Sequence, residues 1–290
     1  MESVDRQELL SLLILLEDTD PFVVEAVDCR VMEIGRAALD FLLKSREGTP
    51  CRSKDDAVMD RIIDLYRKYI LTELKAELST GYPDLTNSLY LLTALADPWL
   101  TRDAFDAGYI PIVEELLKEL NTDGTAIENV EIMNYVFFHR FKFRCVNRHS
   151  VGGNSVLMNR LLENRKGFPV AVAIAYFLVA RNAGLPIFPI PTPSTGFSAV
   201  YIYNGTTILA IDVGDKGKIF PVPAFIEALR NMYPGSRLSD EQLLVPGDDK
   251  MVLGIYIESL ASYFEYQNKE ALVKIYDKAS KIVGQKKILG

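Results

Sequence analysis

Cys145 and His149 stand four residues apart in "RFKFRCVNRHS". A thiol beside an imidazole is the pair that a cysteine nucleophile and its general base require. The pair works only if both side chains face one cleft, which spacing alone does not supply. The plainer reading is a small buried thiol and a surface imidazole on the approach to a loop. Zinc would need more than Cys145, His149 and the isolated His139 provide, so no metal site is expected. Ser155 offers a hydroxyl that helix capping explains more simply. "GDKGK", from Gly214 to Lys218, lacks the longer glycine spacing and the following Ser or Thr of a phosphate loop; it reads as a turn beyond a strand. "VGGNS" could offer backbone N–H groups to an anion, but a connection is the simpler reading. No cofactor is expected.

Composition narrows the classes further. The 290 residues are 49% hydrophobic and 24% charged, ordinary values for a folded chain. A net charge of −7 argues against a protein that coats nucleic acid, since phosphate binding draws on clustered Lys and Arg. The apolar run Leu9 to Leu16 is too short for a bilayer, and acidic residues flank it. No secretory signal is visible, so the run is expected to be a buried amphipathic helix and the protein to have no membrane segment. Cys29, Cys51 and Cys145 give no disulfide framework, and a cytoplasmic protein is the expectation.

The elements that must position these groups are mostly helical. Asp20 is placed to cap a helix that starts at Pro21, and Gly35 breaks it from a second one. The two form a HEAT-like pair, and residues 1–129 are expected to be a helical scaffold. Trp99 is expected to anchor helices. Beyond Asn154, a short helix from Ser155 to Arg165 should stop at Gly167. A helix from Pro169 to Asn182 follows, with Gly184 just past its end; "VAVAIAYFLVA" within it is apolar on every side and belongs mid-domain. "FSAVYIYNGTTILAIDVG" reads as a hairpin around Asn204-Gly205. The tail after Pro221 is helical again and ends in a tetratricopeptide-like hairpin turning near Gln267-Asn268. The predicted fold class is α+β and predominantly helical, with a buried helix on an antiparallel sheet.

The stretch "GGNSVLMNRLLENRKGFPVAVAIAYFLVARNAGLPIFPIP", followed by "GFSAVYI" and "LAIDVGDKGKIF", resembles the transglutaminase-like superfamily. It is most similar to the bacterial invasion-regulator branch, whose core is followed by tetratricopeptide-like helices. The resemblance implies a core at 130–222 and a helical tail at 223–290. It also implies a Cys–His–Asp constellation, in which the helix dipole favours the thiolate and a carboxylate orients the His. Carried over residue by residue, the Cys falls on Pro169, the His on Gly196 and the carboxylate on Asp212. Cysteine is commonly absent from the branch; loss of the His goes beyond its pattern.

The expectation is therefore a pseudoenzyme with no catalytic residues, acting as a protein- or peptide-binding module. Its cleft would be lined by Phe168, Pro169, Thr195, Gly196, Phe197 and Asp212. Asp212 should accept backbone hydrogen bonds or pair with Arg165 or Lys218, since an unpartnered buried carboxylate is costly. One alternative is a cysteine-dependent hydrolase or acyl transferase with a relocated site at Cys145; another is a purely structural scaffold whose cleft has collapsed, with Phe197 or Tyr201 filling the space beside Pro169.

Overall fold

The computed structural model describes residues 6–45, 53–81, 83–121, 123–146, 156–192 and 196–284. The chain divides into two compact units. One takes in residues 1–82 and 91–100, the other 83–90 and 101–290.

The first unit is helical throughout its described part: α1 (Arg6–Leu15), α2 (Pro21–Ile34), α3 (Arg36–Ser45) and α4 (Ser53–Ser79). Asp20 caps α2 by accepting from the Phe22 N–H at 2.8 Å, with Pro21 at the first helical position as predicted. Gly35 turns the chain between α2 and α3 at a φ of 75°. Arg61 of α4 ties these helices together. It bonds Asp28 Oδ1 at 2.6 Å and the carbonyls of Leu16 and Val24 at 3.1 and 2.8 Å. Trp99 departs from expectation: it is 46% exposed, while its neighbour Leu100 is buried. α5 (Leu85–Ala94) contributes residues to both units.

The second unit is α+β. It begins with α6 (Arg102–Glu119) and α7 (Ala126–Asn134), the latter started by a capping box between Thr125 and Glu128. α7 runs on into a π-helical turn, Tyr135–Arg140. Next come β1 (Arg144–Cys145), α8 (Met158–Asn164), β2 (Lys166–Gly167) and α9 (Pro169–Asn182). α8 ends at Asn164 rather than Arg165, because Arg165 adopts a left-handed conformation at a φ of 60°. α9 has the predicted bounds, and every residue from Ala171 to Ala180 is buried.

α9 packs on one face of a four-stranded antiparallel sheet: β3 (Ile187–Thr192), β4 (Gly196–Tyr203), β5 (Thr206–Asp212) and β6 (Lys218–Phe220), in that order. Asn204 and Gly205, both at positive φ, form the tight β4–β5 turn. On the other face, Ile190, Val200 and Ala210 meet Phe225 and Leu229 of α10 (Val222–Met232) and Leu243 of α11 (Asp240–Leu243). The sheet is thus covered on both sides, as the unbroken burial of Phe197 to Tyr201 requires.

β3 is an edge strand that its own sequence closes. Pro189 and Pro191 have no N–H, and their carbonyls are taken by the Gly247 N–H at 2.8 Å and the Tyr233 hydroxyl at 3.2 Å. The tail forms α12 (Asp249–Tyr266) and α13 (Glu270–Val283), turning at Asn268. α12 also packs on α9. Its buried Tyr256 hydroxyl accepts from the Met158 N–H at 2.9 Å and donates to the Val156 carbonyl at 3.1 Å.

Candidate functional site

The site begins at the head of α9. Phe168 is the N-cap residue and Pro169 the first helical one, where a missing N–H costs nothing and the fixed φ suits the helix. The fold therefore needs no thiol at this position. Both residues are half-buried, and the Phe168 ring meets Tyr263 of α12 edge-on at 6.2 Å. The C-terminal hairpin thus supplies one wall beside the helix head.

β1 and β2 bring a thiol to this place after all. They form a two-residue parallel ladder in which Cys145 is in register with Gly167, two residues before Pro169. The Arg144 N–H donates to the Arg165 carbonyl at 3.0 Å, and the Val146 N–H to the Gly167 carbonyl at 2.9 Å. Cys145 is partly buried, and burial pushes its thiol up from 9.0 to about 11, with the Asp212 carboxylate adding to the shift. The three positions Cys145, Pro169 and Asp212 therefore share one neighbourhood. Their electrostatics oppose activation: an anion nearby and a dry setting hold the sulfur protonated, the reverse of what a nucleophile needs.

Asp212 finds its partners in the backbone. Its side chain accepts from the N–H groups of Gly214 at 2.9 Å and Asp215 at 3.2 Å, and its carbonyl accepts from Gly217 at 2.8 Å. The two cations considered as partners are engaged elsewhere. Arg165 donates to the Gly108 carbonyl at 3.1 Å and lies over the Phe143 ring at 4.9 Å. Lys218 lies over the Phe220 ring at 5.0 Å.

No imidazole serves the carboxylate among the described residues. His139 stacks on Tyr135 at 6.1 Å on the exposed side of the π-helical turn and bonds neither Cys145 nor Asp212. His149, Ser155, Cys51 and Thr195 lie outside the described residues. Gly196 opens β4 opposite Thr192. Phe197 is 1% exposed and meets Phe177 of α9 edge-on at 5.7 Å. It belongs to the packing between sheet and helix. Among the described residues, no group of three or more His, Cys, Asp or Glu is placed to hold a metal ion.

Sequence reasoning missed the device that holds the Asp212 turn. The Tyr176 hydroxyl, in mid-α9, donates to Asn134 Oδ1 at 2.8 Å. Asn134 Nδ2 donates in turn to the Gly217 carbonyl at 2.6 Å. Phe137 and Phe138 pack around Tyr176, and burial raises its phenol far above the ordinary range. The signal was present: Tyr176 carries the one polar side-chain atom in "VAVAIAYFLVA", and a buried hydroxyl needs a partner.

The profile of the "Transglutaminase-like superfamily" matches residues 111–257, half of the chain, and takes in Cys145, Pro169, Gly196 and Asp212. The chain is also similar to F-box only protein 21 from Homo sapiens, 29% identical over 91 residues. That stretch covers 31% of this chain and 13% of the human protein. The Mus musculus protein of the same name is 29% identical over 65 residues, covering 22% of this chain and 10% of its own length. The chain thus spans a small part of the curated relatives it matches. No solved structure gives a significant match. With the profile spanning the buried helix and the whole of the sheet, the chain belongs to the transglutaminase-like superfamily.

Proposed function

We propose that this chain is a non-catalytic member of its superfamily that binds a peptide or protein segment at the head of α9. The observation that supports this best is the pairing of Pro169 at the nucleophile's place with a neighbouring thiol pushed up to about 11. A thiol of that pKa is about 0.1% ionised at pH 8, too little to drive acyl transfer. The retained Asp212 turn, fastened through Asn134 and Tyr176, keeps the walls of the ancestral site without its chemistry.

The bound segment is acidic. Arg144 and Lys166 are in-register neighbours on β1 and β2, both exposed, and neither has a counter-ion among the described residues. Like charges side by side are unfavourable until an anion bridges them. In this reading α2–α3 and α12–α13 are HEAT-like and tetratricopeptide-like flanks, and the whole is the bacterial invasion-regulator type working in the cytoplasm.

The test compares the wild-type chain with an Arg144→Glu/Lys166→Glu variant as immobilised bait for partners and for acidic peptides. Retention by the wild type and loss by the variant supports the reading. A competing reading, a relocated cysteine site, draws on the closeness of Cys145 to Asp212. Amide or ester cleavage that disappears in Cys145→Ala would replace the first reading with the second.

A further inference from the structure

The approach to α9 is a basic stretch in an acidic chain. From Phe141 to Gly167 the sequence carries Lys142, Arg144, Arg148, Arg160, Arg165 and Lys166 against a single acidic residue, Glu163, while the whole chain has a net charge of −7. Glu163 is taken by Arg160 at 3.0 Å. Among the described residues, Lys142, Arg144, Arg165 and Lys166 are in no ion pair. The β1–β2 ladder holds their backbones together: Arg144 is in register with Lys166, and its N–H donates to the Arg165 carbonyl.

Arg165 differs from the other three, which are exposed. It is half-buried, with its guanidinium over the Phe143 ring at 4.9 Å and the Phe141 ring at 5.5 Å. One N–H meets the Gly108 carbonyl at 3.1 Å, and no carboxylate reaches the group among the described residues. The sequence from Asn147 to Ser155 has no Asp or Glu to offer either. Burial accordingly lowers the Arg165 pKa, whereas the pKa of Arg140, bonded by Glu119, is raised. A half-buried cation without a counter-charge is costly, and an arriving anion relieves that cost.

The charge distribution says which anion fits. A nucleic acid would lay a row of phosphates along a chain of net charge −7. An extended acidic stretch would meet the same opposing field. One compact dianion feels chiefly the cations within about 8 Å, the screening length at physiological salt. A phosphorylated side chain brings nearly two charges and more acceptor oxygens than a carboxylate, and the planar fork of Arg matches it.

We propose that the segment bound at the head of α9 carries a phosphorylated side chain, anchored by Arg165 with Arg144 and Lys166 as the supporting cations. This rests on the reading of that site as a binder of an acidic segment, and names the group the segment carries.

The probe is a fluorescent glycine–serine peptide carrying one phosphoserine; the controls carry glutamate or unmodified serine at that position. Saturable binding of the phosphoserine peptide to the full chain is expected, at least about tenfold tighter than either control. Arg165→Lys keeps the charge but loses the fork, and should weaken binding at least about tenfold. Arg144→Gln, at an exposed position, should weaken it too, and decides the matter if Arg165→Lys lowers the melting temperature. The proposal is overturned if the phosphoserine peptide does not bind, or if both variants bind it like the wild type. It is overturned if the glutamate peptide binds as tightly, an outcome that leaves the acidic-segment reading standing. Equal affinity for inorganic phosphate would overturn it in favour of the free ion, and tighter binding of a single-stranded oligonucleotide in favour of nucleic acid.

Discussion

Asn134 and Gly217, 83 positions apart, meet so closely that no side chain fits at the glycine. The amide donates to the Gly217 carbonyl at 2.6 Å, and a Cβ on Gly217 would lie 1.9 Å from Asn134 Oδ1. Gly217 also has a φ of 77°, which L side chains resist. Gly217→Ala should therefore cost about 1–3 kcal/mol through overpacking alone and shift the Asp212 turn. Tyr176→Phe should cost about 1–3 kcal/mol by leaving Asn134 Oδ1 without its donor. Urea unfolding measures both, and amide shifts at Gly214 and Asp215 report the turn.

The thiol of Cys145 gives a pH prediction with a definite sign. Below pH 9.0 it is protonated in the folded and unfolded chain alike; between there and about 11 only the folded chain keeps the proton. Stability should fall as pH rises through that window and level off above it. Alkylation of Cys145 should accelerate with a midpoint near pH 11, and at pH 8 it should lag behind the exposed Cys29. Mass-resolved labelling kinetics check both. A midpoint below 8 would show an activated sulfur.

Tyr256 joins the tail to the entry of α8 through two hydrogen bonds, to Met158 N and Val156 O, spanning about 100 residues of chain. Tyr256→Phe leaves a buried N–H and a carbonyl unmet, at about 1–3 kcal/mol. The prediction is a single unfolding transition at lower urea, with the slope unchanged. Loss of the tail alone, seen as a separate early transition, would contradict it.

Arg61 reaches Asp28 and two carbonyls at once, with 19% of its side chain exposed. Arg61→Ala should cost about 1.5–3 kcal/mol, the range for hydrogen bonds to a charged group. Arg61→Lys should recover little, since a single ammonium cannot reproduce the planar fork. Thermal melting of the three chains decides it.

What the sequence revealed tracks local chemistry. Asp20-Pro21, the all-apolar core of α9, Asn204-Gly205 and the Gln267-Asn268 turn each announce themselves within a few residues, and the structure has them all. β3 escaped notice because Pro189 and Pro191 argue against a strand unless it lies at an edge, which is a fact about the sheet. Trp99, expected to anchor helices, is exposed, because burial is settled by distant neighbours. The juxtaposition of Cys145 with Asp212 depends on the β1–β2 ladder, two residues long and without periodicity to betray it. Asp212 itself was legible as a residue in want of a partner; that the partner is its own turn was one of the two outcomes foreseen.

The closed edge of β3 restricts how any extended ligand can be held. With the carbonyls of Pro189 and Pro191 satisfied and prolines where donors would stand, that stretch of the edge gives a visiting strand little to pair with. Recognition there must read side chains, so specificity has to come from shape and charge, and the same blank border keeps neighbouring molecules from zipping together into fibrils.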